Sequence, residues 1–275
     1  MKQFVTAEGI GISYEDDYFG PPWLQSEAQA VVLVHGTAES SRAWYAWVPP
    51  LGAAYRVIRP DMPGFGQSRI APEVPYSWSA ERWASDLRQL VDHLGLKAIH
   101  LVGAKYGGAV SVQFASAYPD RVKTLNVMMG PMQVRGGQGA MDVQKFAERI
   151  DASIRKWVEE TMGDRLGSSV SEAQRRWWIE MMAASDPRAA RESAIETVRL
   201  ELLDKLRQVR APTLFVTTDG NKLVLLDTFR EWLGSVPGIA LEVLKSDSYH
   251  PAASNPAECI GAVLAHMART SAKRA

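Results

Sequence analysis

Short, continuous apolar runs alternate with longer stretches of helical periodicity along most of this chain. Ala30-Val31-Val32-Leu33-Val34 is unbroken and rich in β-branched residues, which suits a strand covered on both faces, as in a parallel sheet. Tyr55 to Pro60, Ala98 to Val102, Val122 to Met129, Pro212 to Val216 and Ala240 to Leu244 repeat the pattern. Near the N-terminus, Phe4 to Glu15 reads as a strand pair turning at Glu8-Gly9, and Phe19-Gly20-Pro21-Pro22 as a connection. Ser79 to Leu94 carries Trp83, Leu87, Leu90, Val91 and Leu94 on one helical face and is stopped by Gly95. Ala109 to Tyr118 and Ala257 to Arg269 are further helices. Strands alternating with helices predict an α/β fold: a mostly parallel, twisted sheet flanked by helices and wound by right-handed crossovers.

The rhythm breaks after Gly130. Residues 131–208 hold no convincing strand and predict helices over Val143 to Met162, Ser171 to Ala184 and Pro187 to Leu206. The expected organisation is therefore a sheet core of residues 1–130 and 209–275 with a helical cap, 131–208, inserted between them. Trp157, Trp177, Trp178, Met181 and Met182 enrich the cap in large apolar side chains. These suit its own core, and on the side facing the sheet they suit the roof of a pocket for a ligand with an apolar or aromatic body.

Composition narrows the function classes. The 275 residues include 31 Lys plus Arg and 31 Asp plus Glu, so the formal charge is zero and no broad field draws in nucleic acid or an anionic membrane. Cys259 is the single cysteine, which excludes an internal disulfide framework; its place in the last helix predicts a buried, inert thiol. Met1 to Tyr14 lacks the apolar stretch of a signal peptide, and no run approaches the ~20 apolar residues of a bilayer span. A cytoplasmic location is expected. Five histidines lie scattered without metal-ligand spacing, and neither a phosphate loop nor a dinucleotide fingerprint is present. We expect a cofactor-independent protein acting on a small molecule. Oligomeric state is not legible.

The candidate chemistry lies at the carboxyl ends of the strands. In order, the landmarks are His35-Gly36-Thr37, Asp61-Met62-Pro63-Gly64-Phe65-Gly66-Gln67-Ser68, Gly103-Ala104-Lys105-Tyr106-Gly107-Gly108, Thr218-Asp219-Gly220-Asn221 and Tyr249-His250. This series resembles the α/β-hydrolase superfamily, in particular its capped esterase, lactonase and carbon–carbon-bond hydrolase branch, over nearly the whole chain. The family's nucleophile elbow reads Gly-x-Ser-x-Gly between a strand and a helix. Here Gly103 and Gly107 retain the glycines, and Lys105 stands where the serine belongs. By resemblance, the backbone N–H groups of Thr37 and Tyr106 would form the oxyanion hole, and His250 would be the general base. The family's acid position falls on Asn221, so Asp219, two residues earlier, is the candidate acid, with Asp247 as a further possibility. His35 and Asp61 are expected to shape their loops. Ser68, His100 and Ser111 read as structural.

Without the serine hydroxyl, a serine-esterase mechanism is excluded for this chain. Three readings of Lys105 remain. As a free amine, its pKa lowered by burial and the helix N-terminus, it would form an imine with a ketone or act as a base on substrate or water. As a protonated clamp it would hold a carboxylate or enolate while His250 moves protons. In the third reading the chain is a non-catalytic ligand-binding protein or an inactivated esterase. The first two imply hydrolysis or lyase chemistry on a small carbonyl compound, an ester, lactone or ketone, without an acyl-enzyme.

Overall fold

Alternating faces of the central strands decide where the helices go. The computed structural model describes residues 1–132 and 143–272. Its eight strands are β1 (Lys2–Val5), β2 (Gly11–Asp17), β3 (Ala30–Val34), β4 (Arg56–Pro60), β5 (Ile99–Ala104), β6 (Val122–Met128), β7 (Thr213–Thr218) and β8 (Ile239–Leu244). They form one sheet in the order β1-β2-β4-β3-β5-β6-β7-β8, antiparallel at β1–β2 and β2–β4 and parallel from β4 through β8. In β3, Val32 and Val34 join the apolar cluster on one face and Val31 and Leu33 that on the other. This period of two explains why the strand reads as a continuous apolar run.

The helices are α1 (Val48–Gly52), α2 (Ala80–His93), α3 (Tyr106–Ala117), α4 (Val143–Ala152), α5 (Ile154–Leu166), α6 (Glu172–Ala183), α7 (Pro187–Val198), α8 (Leu203–Gln208), α9 (Leu226–Gly234), α10 (Pro251–Ser254) and α11 (Pro256–Ala272). Trp83, Leu87 and Leu90 of α2 and Val110 and Phe114 of α3 belong to the larger cluster. Leu51 of α1 and Cys259, Ile260 and Val263 of α11 pack on the opposite face. Cys259 is fully buried, and burial pushes its thiol pKa up, away from reactivity.

Helices α4 to α8 follow β6 and precede β7, as the change of rhythm predicts, but with more breaks. The stretch expected as one helix from Val143 to Met162 divides at Ser153, whose side chain accepts from Lys156 N and starts α5 afresh. The expected Pro187 to Leu206 helix likewise ends at Val198, and α8 begins at Leu203. Helix α9, between β7 and β8, was not anticipated. Ser185 Oγ to Ala38 O at 3.0 Å and Gln174 Nε2 to Ala253 O at 3.0 Å tie these helices to the loop after β3 and to α10. The part of the expected cap over residues 133–142 lies outside the described residues. No helix among the described residues is long and apolar enough to cross a membrane.

Candidate active site

The sharp turn between β5 and α3 is set by its two flanking glycines. A Cβ on Gly103 would lie 2.3 Å from Gly107 O, and one on Gly107 only 2.2 Å from Val34 O. Between them Lys105 adopts φ 57° and ψ −125°, a region that favours glycine. Holding a lysine there costs roughly 1–3 kcal/mol. The turn directs the side chain inward, so that the residue is only 8% exposed. Its Nζ donates to Tyr249 O at 3.4 Å and lies 3.6 Å from the centroid of the Tyr249 ring.

Burial drives the Lys105 pKa well below the usual lysine value, and the Arg165 guanidinium pushes the same way; the Glu39 carboxylate opposes both. The contact with the Tyr249 ring favours the cation. Burial biases the side chain toward the free amine.

Sequence reasoning put an aspartate beside the imidazole; the carboxylate found there is Glu39. His250 Nε2 donates to Glu39 Oε1 at 2.9 Å, and both side chains are at most 2% exposed. Glu39 Oε2 accepts from Gly36 N at 3.0 Å. These partners hold the Glu39 carboxyl at about 2 despite its burial: the His250 charge and hydrogen bond first, then Arg165 and the Gly36 amide. Gly36 is tightly placed, since a Cβ there would meet Lys105 Cβ at 2.9 Å and Glu39 Oε1 at 3.1 Å. On its other edge, His250 Nδ1 is buried and has no hydrogen-bond partner, while Trp178 packs edge-on with ring centroids 5.2 Å apart.

Neither candidate aspartate turns toward the imidazole. Asp219 is exposed and accepts from Ser246 N at 3.2 Å, tying its own loop to the end of β8. Asp247 accepts from Ser168 N at 2.9 Å. Asn221, at the family's acid position, is buried, but its amide is spent locally: Nδ2 donates to Thr218 O at 3.2 Å and Oδ1 accepts from Val224 N at 2.9 Å. Asp219→Asn is accordingly expected to change turnover less than about threefold and stability by no more than about 0.5 kcal/mol. A steady-state assay and a urea titration check both, and a hundredfold loss of rate would restore Asp219 as the acid.

Thr37 follows Gly36 in the loop after β3, half-buried, with its Oγ1 unpartnered. Tyr106 opens α3, in the first turn, where amides have no intrahelical acceptor; its hydroxyl donates to Trp78 O at 2.7 Å. His35 shapes the adjoining loop, with Nδ1 donating to Gly36 O and Nε2 accepting from Met62 N. Asp61 accepts from Ser41 N and Gln67 N, and Ser68 Oγ donates to Asp61 O. His100 bonds Thr124 and Gln29, and Ser111 Oγ donates to Gly107 O within α3.

The residues that sequence reasoning missed are Glu39, Tyr249 as a wall, and Arg165. Arg165, near the end of α5, is 5% exposed; its guanidinium carbon lies 5.3 Å from the Tyr249 ring centroid and 5.6 Å from that of Trp157. Ser248 joins the two segments: its Oγ donates to Arg165 O at 2.7 Å and accepts from His250 N at 2.8 Å. No group of three or more His, Cys, Asp or Glu residues among the described residues is arranged to hold a metal ion.

Comparison with known proteins places this chain in a family. A family model described as the alpha/beta hydrolase fold matches residues 29–254. A 2-hydroxy-6-oxo-2,4-heptadienoate hydrolase of Pseudomonas putida is 38% identical over 83% of this chain and 82% of its own length. A pimeloyl-[acyl-carrier protein] methyl ester esterase of Aeromonas hydrophila is 29% identical over 84% and 92%. Among solved structures, a thermophilic esterase from Thermogutta terrifontis superposes with a TM-score of 0.84 at 23% identity, covering 98% of this chain and 99% of that one. The enol-lactonase from Burkholderia xenovorans superposes with 0.83 at 16% identity, covering 94% and 97%. These relatives are hydrolases by name, and the chain belongs to the alpha/beta-hydrolase family.

Proposed function

We propose that this chain hydrolyses a small carbonyl compound without an acyl-enzyme, using the Lys105 amine as general base toward water. The observation that carries this reading is a buried amine, its pKa lowered by that burial, at the position where the family's nucleophile stands. Lys105 Nζ takes a proton from water as the water oxygen bonds to the carbonyl carbon. The carbonyl oxygen becomes an oxyanion toward the N–H groups of Thr37 and Tyr106. Collapse breaks the bond to the leaving group, which takes the proton back from the ammonium. An ester gives acid and alcohol, a lactone gives a hydroxy acid, and a 1,3-diketone gives acid and ketone. The names of the relatives, an oxo-dienoate hydrolase, an esterase and an enol-lactonase, fit this substrate range. Helices α4 to α8 act as the cap that keeps bulk water out.

His250 serves this scheme differently from a triad histidine. With Nε2 committed to Glu39, it fixes a carboxylate near Lys105, and that negative charge supports the ammonium formed midway. Turnover of a panel of small esters, lactones and 1,3-diketones tests the reading. The rate is expected to rise with pH as the amine loses its proton and to level off well below the ordinary lysine value. Lys105→Met should cost at least about a hundredfold in kcat. A methionine variant that keeps both rate and pH profile would overturn the proposal. A borohydride-trapped adduct on the Lys105 peptide would replace the base by an imine.

A further inference from the structure

Arg165 and Lys105 both lie within the field of one carboxylate, Glu39, and that carboxylate is already engaged. Glu39 directs Oε1 to His250 and Oε2 to the Gly36 amide. Arg165 has no ion pair with it or with any other described residue, although its field reaches Glu39, Lys105 and Tyr249. Its Nε is buried without a hydrogen-bond partner, and its guanidinium is bounded by the rings of Tyr249 and Trp157. A guanidinium is always charged and carries five donors, so burying its Nε–H with nothing to accept from it is costly. Its place in the last turn of α5 offers some compensation through the helix dipole, worth about 0.3–1 kcal/mol, far below that cost.

The surroundings add donors and few acceptors. The indole N–H groups of Trp157 and Trp178 are also buried and unpartnered. An orphaned indole alone signals little, since those of Trp44 and Trp83 share that state. Next to an unpaired guanidinium, however, the Trp157 N–H completes a donor-rich, aromatic-walled place beside the candidate nucleophile position. Such a place calls for an anion with a flat or apolar body.

We propose that Arg165 is the seat of a carboxylate carried by the substrate or left on the product, held between Tyr249 and Trp157. The proposal builds on the hydrolase reading for what happens next, but binding can be measured apart from turnover. With the anion seated on Arg165, Lys105 is free to remain a neutral base. In the clamp reading the anion would sit on Lys105 instead, and the two assignments separate cleanly.

The test is titration of the whole protein with phenylacetate and with the neutral phenylacetamide, followed by calorimetry and by the rise in Tm. Phenylacetate is expected to bind and phenylacetamide to bind at least tenfold more weakly. Arg165→Met should weaken phenylacetate at least about thirtyfold. It should itself fold well, because it removes a buried charge that lacks a partner. Lys105→Met, inactive under the hydrolase reading, should bind phenylacetate within about threefold of the parent protein. Loss of binding in Lys105→Met with retention in Arg165→Met would overturn the proposal, as would equal affinity for acid and amide or no binding of either. Failure of turnover with binding intact would count against the hydrolase reading alone.

Discussion

Lys105→Met is expected to stabilise the protein by about 1–4 kcal/mol, the range seen when buried ionisable groups give way to apolar volume. The lysine is buried, strained at φ 57° and held by a single carbonyl and an aromatic face. Methionine has a similar length, needs no hydrogen bond and favours contact with aromatic rings. The effect should depend on pH in a defined direction. The folded-state pKa lies below the unfolded value, so the unfolded chain binds the extra proton between the two. Stability of the parent protein therefore rises with pH across that window. The advantage of methionine is largest at and below the depressed pKa and shrinks as pH approaches 10.5, the ordinary lysine value. Urea unfolding at several pH values checks this. A methionine variant less stable than the parent, or a gap that widens with pH, would show that Lys105 is held as a satisfied cation.

Breaking the Glu39–His250 pair should have the opposite sign. Glu39→Ala leaves the buried His250 Nε2–H and the Gly36 amide without their acceptor, and an expected loss of about 3–5 kcal/mol follows. His250→Ala should cost a similar amount by stranding a buried carboxylate. The double variant should cost clearly less than the sum, which a double-mutant cycle reads directly. The pair also imposes an acid limit. Because the Glu39 pKa is lowered from 4.5 to about 2, its contribution is complete above 4.5 and is lost as pH falls toward 2. Additive single costs, or a Glu39→Ala loss under about 1 kcal/mol, would mean that the pair does not hold the loop after β3 in place.

The fold was legible because its signals are periodic. Val31 to Val34 serve two faces of a sheet, and Trp83, Leu87 and Leu90 serve one face of a helix, so spacing alone identifies the elements. Gly103 and Gly107 were legible for another reason: the turn has no room for a Cβ at either, and their spacing identifies it. The breaks at Ser153 and after Val198 escaped notice because a cap residue inside a continuous apolar pattern changes the backbone without changing the pattern. In the site, Lys105 and His250 could be located by order along the chain. Glu39 could not, since it is one acidic residue in an irregular loop whose partner lies 211 residues away in sequence. Asp219 illustrates the converse: two residues along a loop turn a carboxylate from the interior to the surface.

The engagement of His250 Nε2 by Glu39 bears on what a serine at position 105 could do. In a serine hydrolase that nitrogen faces the hydroxyl, and the other one faces the acid. Here the first is occupied, and Asn221 spends its amide on its own loop. A serine returned to position 105 would find its proton acceptor turned to a different partner and no carboxylate behind it. Triad chemistry at this position would take coordinated change at 39, 105 and 221, so the neighbours of Lys105 set a higher barrier to serine chemistry than the lysine alone.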